Sequence, residues 1–383
     1  MYKLIRFFVR LALRIYCHRI RVDNDACLKL KGPLVIASNH PNGFFDAIII
    51  ASRMQEPVHF LAWGEVTDRW LSPSLLKLLH IIPVYQIQEH RYNQERNEKS
   101  FSRCVDLLSS GGIVLIFAEG VCVNNWELRP FRKGTARVVL ESMDRTPENT
   151  ELRILPAAIN YNSYSSPCES IFLNFGPLLP GKNLPQDIRE AEKILHFNES
   201  IRAGISDSML QTAGKPELLQ IMLSNVPGLH PGQIKKLQDV LNNSKENIPV
   251  HHFKQPGYLL QETKSLFTEF LWLFLLGIPA ATGWILHFLL YYPVAWFAKK
   301  KTAGTVFYDS FLFLLLFIAY PFYWTALNIA VYFIFGNTWL QMFFLFIPAF
   351  AWTSGQWHVE WQRFYNWQHV PERDRRRLSN MIS

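Results

Sequence analysis

The stretch PLVIASNHPNGFFDAIIIASRM, residues 33–54, decides how the chain folds. Its first part, PLVIAS at 33–38, is a short apolar run typical of a buried strand. Its last part, FDAIIIASRM from Phe45 onward, has apolar residues at helical spacing. The segment NHPNG at 39–43 is therefore predicted to be the turn from a strand into a helix, which is a repeating unit of α/β domains.

Similar units continue to about residue 180. Further strands are predicted at 58–63, 81–85, 112–118, 153–161 and 170–176, and helices at 45–54, 72–80, 94–109 and 133–143. The predicted fold class is α/β, with a mixed central sheet flanked by helices. We expect this domain to cover residues 23–184 and a helical accessory segment to cover 185–262.

A basic amphipathic helix is predicted for residues 1–22. Arg6, Arg10 and Arg14 recur at four-residue intervals and form a basic stripe. The opposite side of the helix is apolar and consists of Leu4, Phe7, Phe8, Leu11 and Ile15. The arginines leave no uncharged core for a signal peptide. The pattern predicts an interfacial helix whose cations meet anionic head groups, and a helix packed on the protein's own core is the alternative.

Two long runs without a formal charge predict a C-terminal all-α transmembrane region at residues 263–359. The runs extend from Phe270 to Ala298 and from Ser310 to Val359. A helical span needs about 20 apolar residues, so the second run has room for two spans, predicted at 310–334 and 338–357.

Basic clusters beside these runs predict the orientation. Lys299–Lys301 and the basic tail at 360–383 are both expected on the cytoplasmic side, which two spans between them satisfy. If the N-terminal domain also faces the cytoplasm, the first run must enter and leave by the same face. Pro279 near its middle then favours a hairpin or re-entrant pair over 266–298. A single tilted span is the alternative.

The composition narrows the classes of function. The formal net charge of +8 suits an anionic membrane surface, a phosphorylated substrate or nucleic acid. No nucleic-acid recognition motif accompanies the charge, so we expect no nucleic-acid partner. The five cysteines are odd in number and show no CxxC spacing, which predicts neither a disulfide framework nor a zinc site. We expect no bound metal.

His40 and Asp46 are the candidate catalytic pair, with a structural hydrogen-bonded pair as the alternative. Six positions along an ideal helix rotate by about 600°, so the two side chains meet only if the turn is not helical. Pro41 disfavours a helical His40, and Asn42 and Gly43 tolerate unusual dihedral angles. Asp46 can then bind one ring nitrogen and leave the other as a general base. Neither a nucleophile-elbow motif nor metal-ligand spacing is present, so a substrate hydroxyl is the expected proton source.

Four sequence blocks resemble the PlsC-type lysophospholipid (glycerophosphate) acyltransferases. The blocks are NHPNGFFD at 39–46, IIPVY at 81–85, FAEGV at 117–121 and ILPAAI at 154–159. Five residues separate His40 from Asp46 where most members have four, which is similar to the branch that includes fungal glycerol-3-phosphate acyltransferases. Gln86 stands where the family normally has a phosphate-binding arginine, and the nearest arginine is Arg91. No threonine follows Gly120.

The resemblance implies roles for residues in these blocks. His40 deprotonates the acceptor hydroxyl, Asp46 orients His40, and the hydroxyl attacks the thioester of acyl-CoA or acyl carrier protein without an acyl-enzyme. The residues implied in substrate binding are Asn39, Asn42, Gly43, Glu119, Gly120, Arg129, Arg132, Lys133, Gly134 and Pro156. Among them Arg129, Arg132 and Lys133 are the implied phosphate ligands, and a lipid-head-group patch is the alternative for these cations. No cofactor is expected besides the acyl donor as co-substrate.

The function implied by the resemblance is a membrane-bound O-acyltransferase of glycerophospholipid biosynthesis. The implied acceptor is 1-acyl-sn-glycerol-3-phosphate, which gives phosphatidate, and glycerol-3-phosphate is the alternative. A non-catalytic lipid-binding scaffold with an acyltransferase-like fold is the alternative of a different class, suggested by Gln86 and by the missing threonine after Gly120. The implied partners are a glycerophosphate or lysophospholipid acceptor, acyl-CoA or acyl carrier protein, and the lipid bilayer. The protein is expected to be integral to the membrane with its catalytic domain facing the cytoplasm.

Overall fold

The computed structural model describes residues 1–65, 68, 72–85, 92–146, 151–164, 169–181, 189–243, 258–259, 266–336 and 346–382. Its strands are β1 Arg19–Val22, β2 Leu34–Ser38, β3 Val58–Trp63, β4 Ile81–Val84, β5 Ile113–Phe117, β6 Arg153–Tyr161, β7 Ser170–Phe175 and β8 Leu179–Pro180. Its helices are α1 Tyr2–Tyr16, α2 Phe44–Arg53, α3 Pro73–Leu78, α4 Tyr92–Ser109, α5 Lys133–Arg145, α6 Glu190–Ser206, α7 Pro216–Asn225, α8 Pro231–Asn243, α9 Leu266–Lys301, α10 Tyr308–Phe335, α11 Ile347–His369 and α12 Glu372–Ile382. Gln86 and Arg91 lie outside the described residues.

The strands of the described chain form one mixed sheet of eight strands. Seven of them follow the order β1-β7-β6-β2-β5-β3-β4, and β8 pairs with β6. β2 lies near the middle of the sheet and pairs in parallel with both β5 and β6. The sheet is mixed because β7 runs antiparallel to β6. The predicted α/β fold class, a mixed sheet flanked by helices, is confirmed.

The apolar run of β2 builds the core on both faces of the sheet, because successive side chains of a strand point to opposite faces. Leu34 and Ile36 pack in one cluster with residues of α2. Val35 and Ala37 pack in a second cluster with residues of α5 and α6. All five residues of β2 are buried. A central parallel strand buried in this way needs a continuous apolar run, which is the pattern that the sequence has here.

The basic stripe of α1 faces the domain. Arg6 Nη1 donates to the carbonyl oxygen of Met54 at 2.7 Å, and Arg10 Nη2 donates to that of Arg53 at 3.0 Å. These carbonyls belong to the end of α2, where backbone acceptors lack partners within the helix and cations are favoured. The exposed side of α1 carries Leu4, Phe7, Phe8 and Leu11. Two of the arginines that we expected at lipid head groups therefore cap a helix, whereas the apolar side is free to meet a membrane.

Two of the predicted unit boundaries fall within packed structure. The first unit was expected to end at residue 22, yet residues 19–22 form β1, which pairs in parallel with β7. The accessory segment was expected to begin at residue 185, yet α6 buries Phe197, Ile201 and Ile205 in the core cluster beneath the sheet. A four-residue edge strand and an amphipathic helix carry too little pattern to show that they belong to the sheet domain.

The first apolar run forms one continuous helix, α9, and the predicted hairpin or re-entrant pair over 266–298 is wrong. Pro279 lies inside this helix. Its missing N–H is tolerated in an apolar helix when neighbouring helices pack against the site. α11 packs there, and Ser354 Oγ donates to the Ala280 carbonyl oxygen at 2.8 Å.

The other apolar helices partly follow the predicted spans. Among the described residues, α9 and α10 are long and apolar enough to cross a membrane, judged by length and composition. α10 corresponds to the span predicted at 310–334. The span predicted at 338–357 begins outside the described residues, and the described helix there is α11, which starts at Ile347. The tail expected at 360–383 is helical in its described part, and α12 buries Leu378 and Ile382 against α7 and α8.

Candidate active site

The turn between β2 and α2 brings His40 and Asp46 together. Gly43 is the N-cap of α2 and has φ +59° and ψ −143°, a conformation that residues with a side chain rarely adopt. This glycine reverses the chain before the helix begins, so His40 lies over the first helical turn. His40 Nδ1 is 2.9 Å from Asp46 Oδ2. The predicted non-helical turn and the predicted meeting of the two side chains are both present in the structure.

Asp46 is fully buried and its carboxylate is held by three groups. Oδ2 accepts from His40 Nδ1 and from the backbone N–H of Asn42 at 2.9 Å. Oδ1 accepts from the Tyr161 hydroxyl at 2.6 Å. Burial, followed by the nearby Asp46 carboxylate, raises the pKa of Tyr161 well above its ordinary value, so this hydroxyl remains a donor. A carboxylate with this many donors is fixed in position.

The hydrogen bond to Asp46 sets the tautomer of His40. An ionised carboxylate only accepts hydrogen bonds, so Nδ1 carries the proton and Nε2 presents a lone pair. No described residue bonds to Nε2. The ring stacks on Phe117, with centroids 3.8 Å apart and planes at 10°, and the side chain is 17% exposed. His40 is therefore held rigidly with one basic nitrogen open to a ligand.

Glu119, at the end of β5, holds the backbone beside His40. Its Oε2 accepts from the His40 N–H at 3.0 Å and from Arg129 Nη2 at 2.7 Å. Its Oε1 accepts from the Arg129 N–H at 2.9 Å. The Glu119 carboxylate is thus bound to an arginine of the same protein. Because both partners are partly or fully buried, Arg129 is engaged in positioning Glu119.

Arg132 and Lys133 are exposed at the beginning of α5, near this site. Arg132 is the N-cap residue, and its backbone N–H donates to the Ala118 carbonyl oxygen at 2.8 Å, which fixes it beside Gly120. Lys133 and Gly134 are the first two residues of the helix, as predicted. Helix N-termini favour anions because their first N–H groups lack partners. Arg132 and Lys133, which form no ion pair with any described side chain, therefore lie together at a helix N-terminus.

Asn39 and Pro156 take structural places. Asn39 is buried and pairs with Ile159 of β6, donating from Nδ2 to its carbonyl oxygen at 3.1 Å and accepting from its N–H at 2.9 Å. Pro156 lies in β6 on the sheet face opposite α2, and it contacts Gly204 of α6. The structure therefore does not bring the side chains of Asn39 and Pro156 to the imidazole. Asn42 and Gly43 form part of the turn, and Glu119 and Gly120 lie beside it.

Cys122 lies next to the turn and was not singled out by the sequence. Its Sγ accepts from the Gly43 N–H at 2.8 Å. Burial, followed by the Asp46 carboxylate, raises the pKa of this thiol. A thiol kept protonated is a poor nucleophile. Cys122 therefore supports the turn and does not supply a nucleophile.

Three further residues of the site were missed by sequence reasoning. Tyr161 is the last residue of an apolar strand, where nothing in the pattern separates it from core residues. Asp309 and Ser310 lie at the start of α10, and Asn42 Nδ2 donates to Asp309 Oδ2 at 3.0 Å. Asp309 and Ser310 belong to the stretch VFYDS at 306–310, which lies before an apolar pair and loosely resembles the fungal branch, yet this resemblance implied no role in the site for either residue.

A protein-family model matches the segment that contains this turn. Residues 19–160 match the protein-family model described as Acyltransferase. The matched segment begins with β1 and ends in β6, so it contains His40, Asp46 and Glu119.

The chain is similar to the 1-acyl-sn-glycerophosphate (LPA) acyltransferase PlsC from Thermotoga maritima, with 15% sequence identity and a TM-score of 0.39. The similarity covers 54% of this chain and 78% of that chain. No curated protein sequence matches the chain. By its family-model match, the segment that holds the His40–Asp46 turn, residues 19–160, is similar to acyltransferase domains.

Proposed function

We propose that the protein is a membrane-bound O-acyltransferase of glycerophospholipid biosynthesis. It transfers a fatty acyl group from acyl-CoA or acyl carrier protein to the hydroxyl of 1-acyl-sn-glycerol-3-phosphate and so forms phosphatidate. The observation that carries the proposal is the His40 imidazole, whose Nδ1 is bound to buried Asp46 and whose Nε2 is open. The acyltransferase family match of the surrounding segment supports the same reaction type.

In the proposed mechanism His40 Nε2 accepts the proton of the acceptor hydroxyl while the oxygen attacks the thioester carbonyl. The tetrahedral intermediate expels the donor thiolate, which takes the proton from His40 and leaves as a thiol. The products are an oxygen ester and the free thiol of the carrier, so no acyl-enzyme forms. Asp46 stabilises the transient imidazolium, and the Tyr161 hydroxyl and Asn42 N–H keep Asp46 in place. A positioned base of this kind contributes about 10² to 10⁴ in rate.

Removing the Tyr161 hydroxyl is expected to weaken this arrangement without abolishing it. Tyr161→Phe should lower kcat by about threefold to tenfold, since a typical hydrogen bond contributes about 0.5–1.5 kcal/mol and two donors to Asp46 remain. The matched control is Tyr164→Phe, because the Tyr164 hydroxyl donates to the Asn125 carbonyl oxygen. Steady-state rates of both purified variants check this. Equal kcat for Tyr161→Phe and wild type would show that the Asp46 contact does not matter for catalysis.

We propose that Arg132 and Lys133 bind the phosphate of the acceptor. Both are exposed at the N-terminus of α5, whereas Arg129 is engaged with Glu119. Guanidinium groups match phosphate oxygens in bidentate geometry, and the helix N-terminus adds to the attraction.

Arg132→Ala and Lys133→Ala are each expected to raise the KM for the phosphorylated acceptor by about threefold to tenfold and to leave the KM for the acyl donor unchanged. Arg137→Ala, an exposed cation one turn further along α5, is the control and should change neither constant. If these cations bind lipid head groups instead, the two variants will bind anionic vesicles more weakly and keep the wild-type acceptor KM in detergent.

The acceptor is tested by a panel of glycerol-3-phosphate, 1-acyl-sn-glycerol-3-phosphate and lysophospholipids without a phosphate monoester, each with labelled acyl donor. We expect the 1-acyl form to give labelled phosphatidate at the highest rate. The five-residue spacing between His40 and Asp46 favours glycerol-3-phosphate as the second candidate, and labelled lysophosphatidate would identify it. A non-catalytic lipid-binding scaffold predicts that no acceptor supports donor consumption by wild-type protein.

We propose that the domain lies on the cytoplasmic face of a membrane and that α9 begins and ends on that face. The N–H of Leu259 donates to Asn225 Oδ1 of α7 at 2.6 Å, and α9 begins seven residues later. Seven extended residues reach at most about 25 Å, which is less than the roughly 30 Å of a hydrocarbon core. Beyond the other end of α9, Asp309 contacts Asn42. These contacts support a helix that lies along the membrane surface, with Lys299–Lys301 on the cytoplasmic side.

Cysteine labelling in sealed membrane vesicles tests this orientation. Glu199→Cys, at an exposed position of α6, and Lys300→Cys, at the end of α9, are both expected to react with an impermeant maleimide only from the cytoplasmic side. The parent protein without these substitutions gives the background from its native cysteines. Labelling of the two positions from opposite sides would show that α9 crosses the membrane.

A further inference from the structure

We propose that Asp309 and Ser310, at the start of the apolar helix α10, are positioning residues for the catalytic turn. They lie more than 260 residues from the turn in sequence and outside the segment that matches the acyltransferase family. In this proposal the membrane-associated helices hold His40 and Asp46 in their reactive geometry, so they form part of the active site. The inference rests on the proposed acyl transfer, which supplies its kinetic readout.

The contacts between α10 and the turn are specific and buried. Asn42 Nδ2 donates to Asp309 Oδ2 at 3.0 Å. Ser310 Oγ donates to the Asn42 carbonyl oxygen at 3.1 Å and accepts from the Phe45 N–H at 3.0 Å. All four residues are buried, Asp309 and Asn42 fully. Beside them Phe307, the N-cap residue of α10, stacks on Trp63 at the end of β3.

Ser310 replaces a missing cap on α2. The N-cap residue of this helix is Gly43, which has no side chain to bind the first free N–H groups. Ser310 Oγ binds one of them, the N–H of Phe45, from a different helix. The unusual backbone conformation of Gly43, which the turn requires, is thus combined with a capped helix. The start of α2 is fixed by α10.

Asn42 connects Asp309 to the catalytic carboxylate. The side chain of Asn42 binds Asp309, and its backbone N–H binds Asp46 Oδ2, the same oxygen that accepts from His40 Nδ1. Rotation or displacement of Asn42 therefore changes the position of the oxygen that orients the imidazole. A displacement of about 1 Å in a reacting group can cost about 10² in rate.

The burial of Asp309 supports a positioning role over a purely packing role. Removing a carboxylate from water costs several kcal/mol, and apolar residues of similar size are often equal or better for stability. A carboxylate at this place does what an apolar residue cannot, because it accepts from Asn42 Nδ2 and so fixes the orientation of that amide.

Kinetics of the full-length protein in detergent test the proposal. Asp309→Ala is expected to lower kcat by about tenfold to hundredfold and to change the acceptor KM by less than about threefold. Asp309→Asn, which keeps an oxygen that accepts from Asn42, should recover most of the loss. Asp309→Ala and Asn42→Ala break the same hydrogen bond. The kcat of the double variant should therefore lie within about threefold of the kcat of the worse single variant. Tyr320→Phe removes a contact between Tyr320 of α10 and His287 of α9, away from the turn. It is the matched control and should keep the wild-type kcat.

A spectroscopic measurement separates this inference from the proposed function. The His40 Nδ1 proton, bound to a carboxylate, should give a downfield proton resonance that is absent from His40→Ala. We expect the resonance in wild type and in Tyr320→Phe, and its broadening or loss in Asp309→Ala. If wild type shows the resonance but transfers no acyl group, the proposed function fails and the resonance in Asp309→Ala still decides the inference.

The positioning role is overturned if Asp309→Ala keeps both the resonance and the wild-type kcat, or if wild type lacks the resonance. It is also overturned if the loss in kcat of the double variant equals the product of the losses of Asp309→Ala and Asn42→Ala. Ser310→Ala covers the case in which Asp309→Ala does not fold, because it removes a single hydroxyl and keeps the buried pair of Asn42 and Asp309. It should lower kcat by about threefold to tenfold with near-UV circular dichroism unchanged. Wild-type kcat in Ser310→Ala would then contradict the proposal.

Discussion

Replacing His40 with alanine is expected to lower kcat by about 10² to 10⁴, because the variant lacks the imidazole that we propose as acceptor of the proton of the acceptor hydroxyl. The fold should persist, since the side chain is partly exposed and its backbone N–H still binds Glu119. Initial rates with labelled acyl donor, compared with the thermal unfolding temperature of the same preparation, measure both effects. His196→Ala, at an exposed position of α6, is the control and should keep wild-type activity.

Chemical rescue sharpens this test. The space left above Phe117 in His40→Ala can accept free imidazole, which would stack where the ring of His40 stacks in the structure. Partial recovery of the rate with added imidazole would support loss of a base as the cause. Wild-type donor consumption by His40→Ala with every acceptor would contradict the catalytic role and favour a scaffold.

Replacing Asp46 with asparagine is expected to have the second largest effect, a loss of about 10² to 10³ in kcat. The amide keeps the size of the side chain, yet it removes the charge that stabilises the imidazolium and allows the wrong tautomer of His40. The acceptor KM should change by less than about threefold, since Asp46 is fully buried and its carboxylate is bound by three donors of the protein itself. Initial rates over a range of acceptor concentrations separate the two constants.

Asp106→Asn is the matched control for this change. Asp106 is exposed on α4 and pairs with Arg145 at the surface, where such pairs contribute about 0–1 kcal/mol. It should therefore retain wild-type kcat. If Asp46→Asn loses acceptor affinity with an unchanged kcat, Asp46 binds substrate and does not orient His40.

Local patterns predicted most of the sheet domain. The strands at 58–63 and 153–161 have the predicted bounds, because apolar runs of β-branched residues bounded by polar segments are the clearest strand signal. The turn at 39–43 could also be predicted from the local sequence, since a proline, an asparagine and a glycine lie between a strand and a helix. The His40–Asp46 pair could be predicted because both residues flank that one turn.

Contacts between residues far apart in the chain could not be predicted from the sequence. Tyr161 and Asp309 meet the turn through the sheet and through α10, and the local sequence around either residue does not show what it contacts. Arg6 and Arg10 have a membrane-interface pattern, but their partners are carbonyls at the end of α2, which carry no signal in the side-chain sequence. α9 continues through Pro279 at a place where α11 packs against it, which a helix-breaking residue alone does not reveal.

A single-turnover reaction tests most directly whether His40 drives transfer from donor to acceptor in one step. Excess full-length protein in detergent is mixed with labelled acyl donor, with and without 1-acyl-sn-glycerol-3-phosphate, and the label is followed in donor, protein and lipid. With acceptor present, we expect the label to pass from donor to phosphatidate without appearing on protein, and His40→Ala to leave it on the donor. Label that accumulates covalently on the protein when acceptor is absent, or phosphatidate formed at the wild-type rate by His40→Ala, would contradict direct transfer by this base.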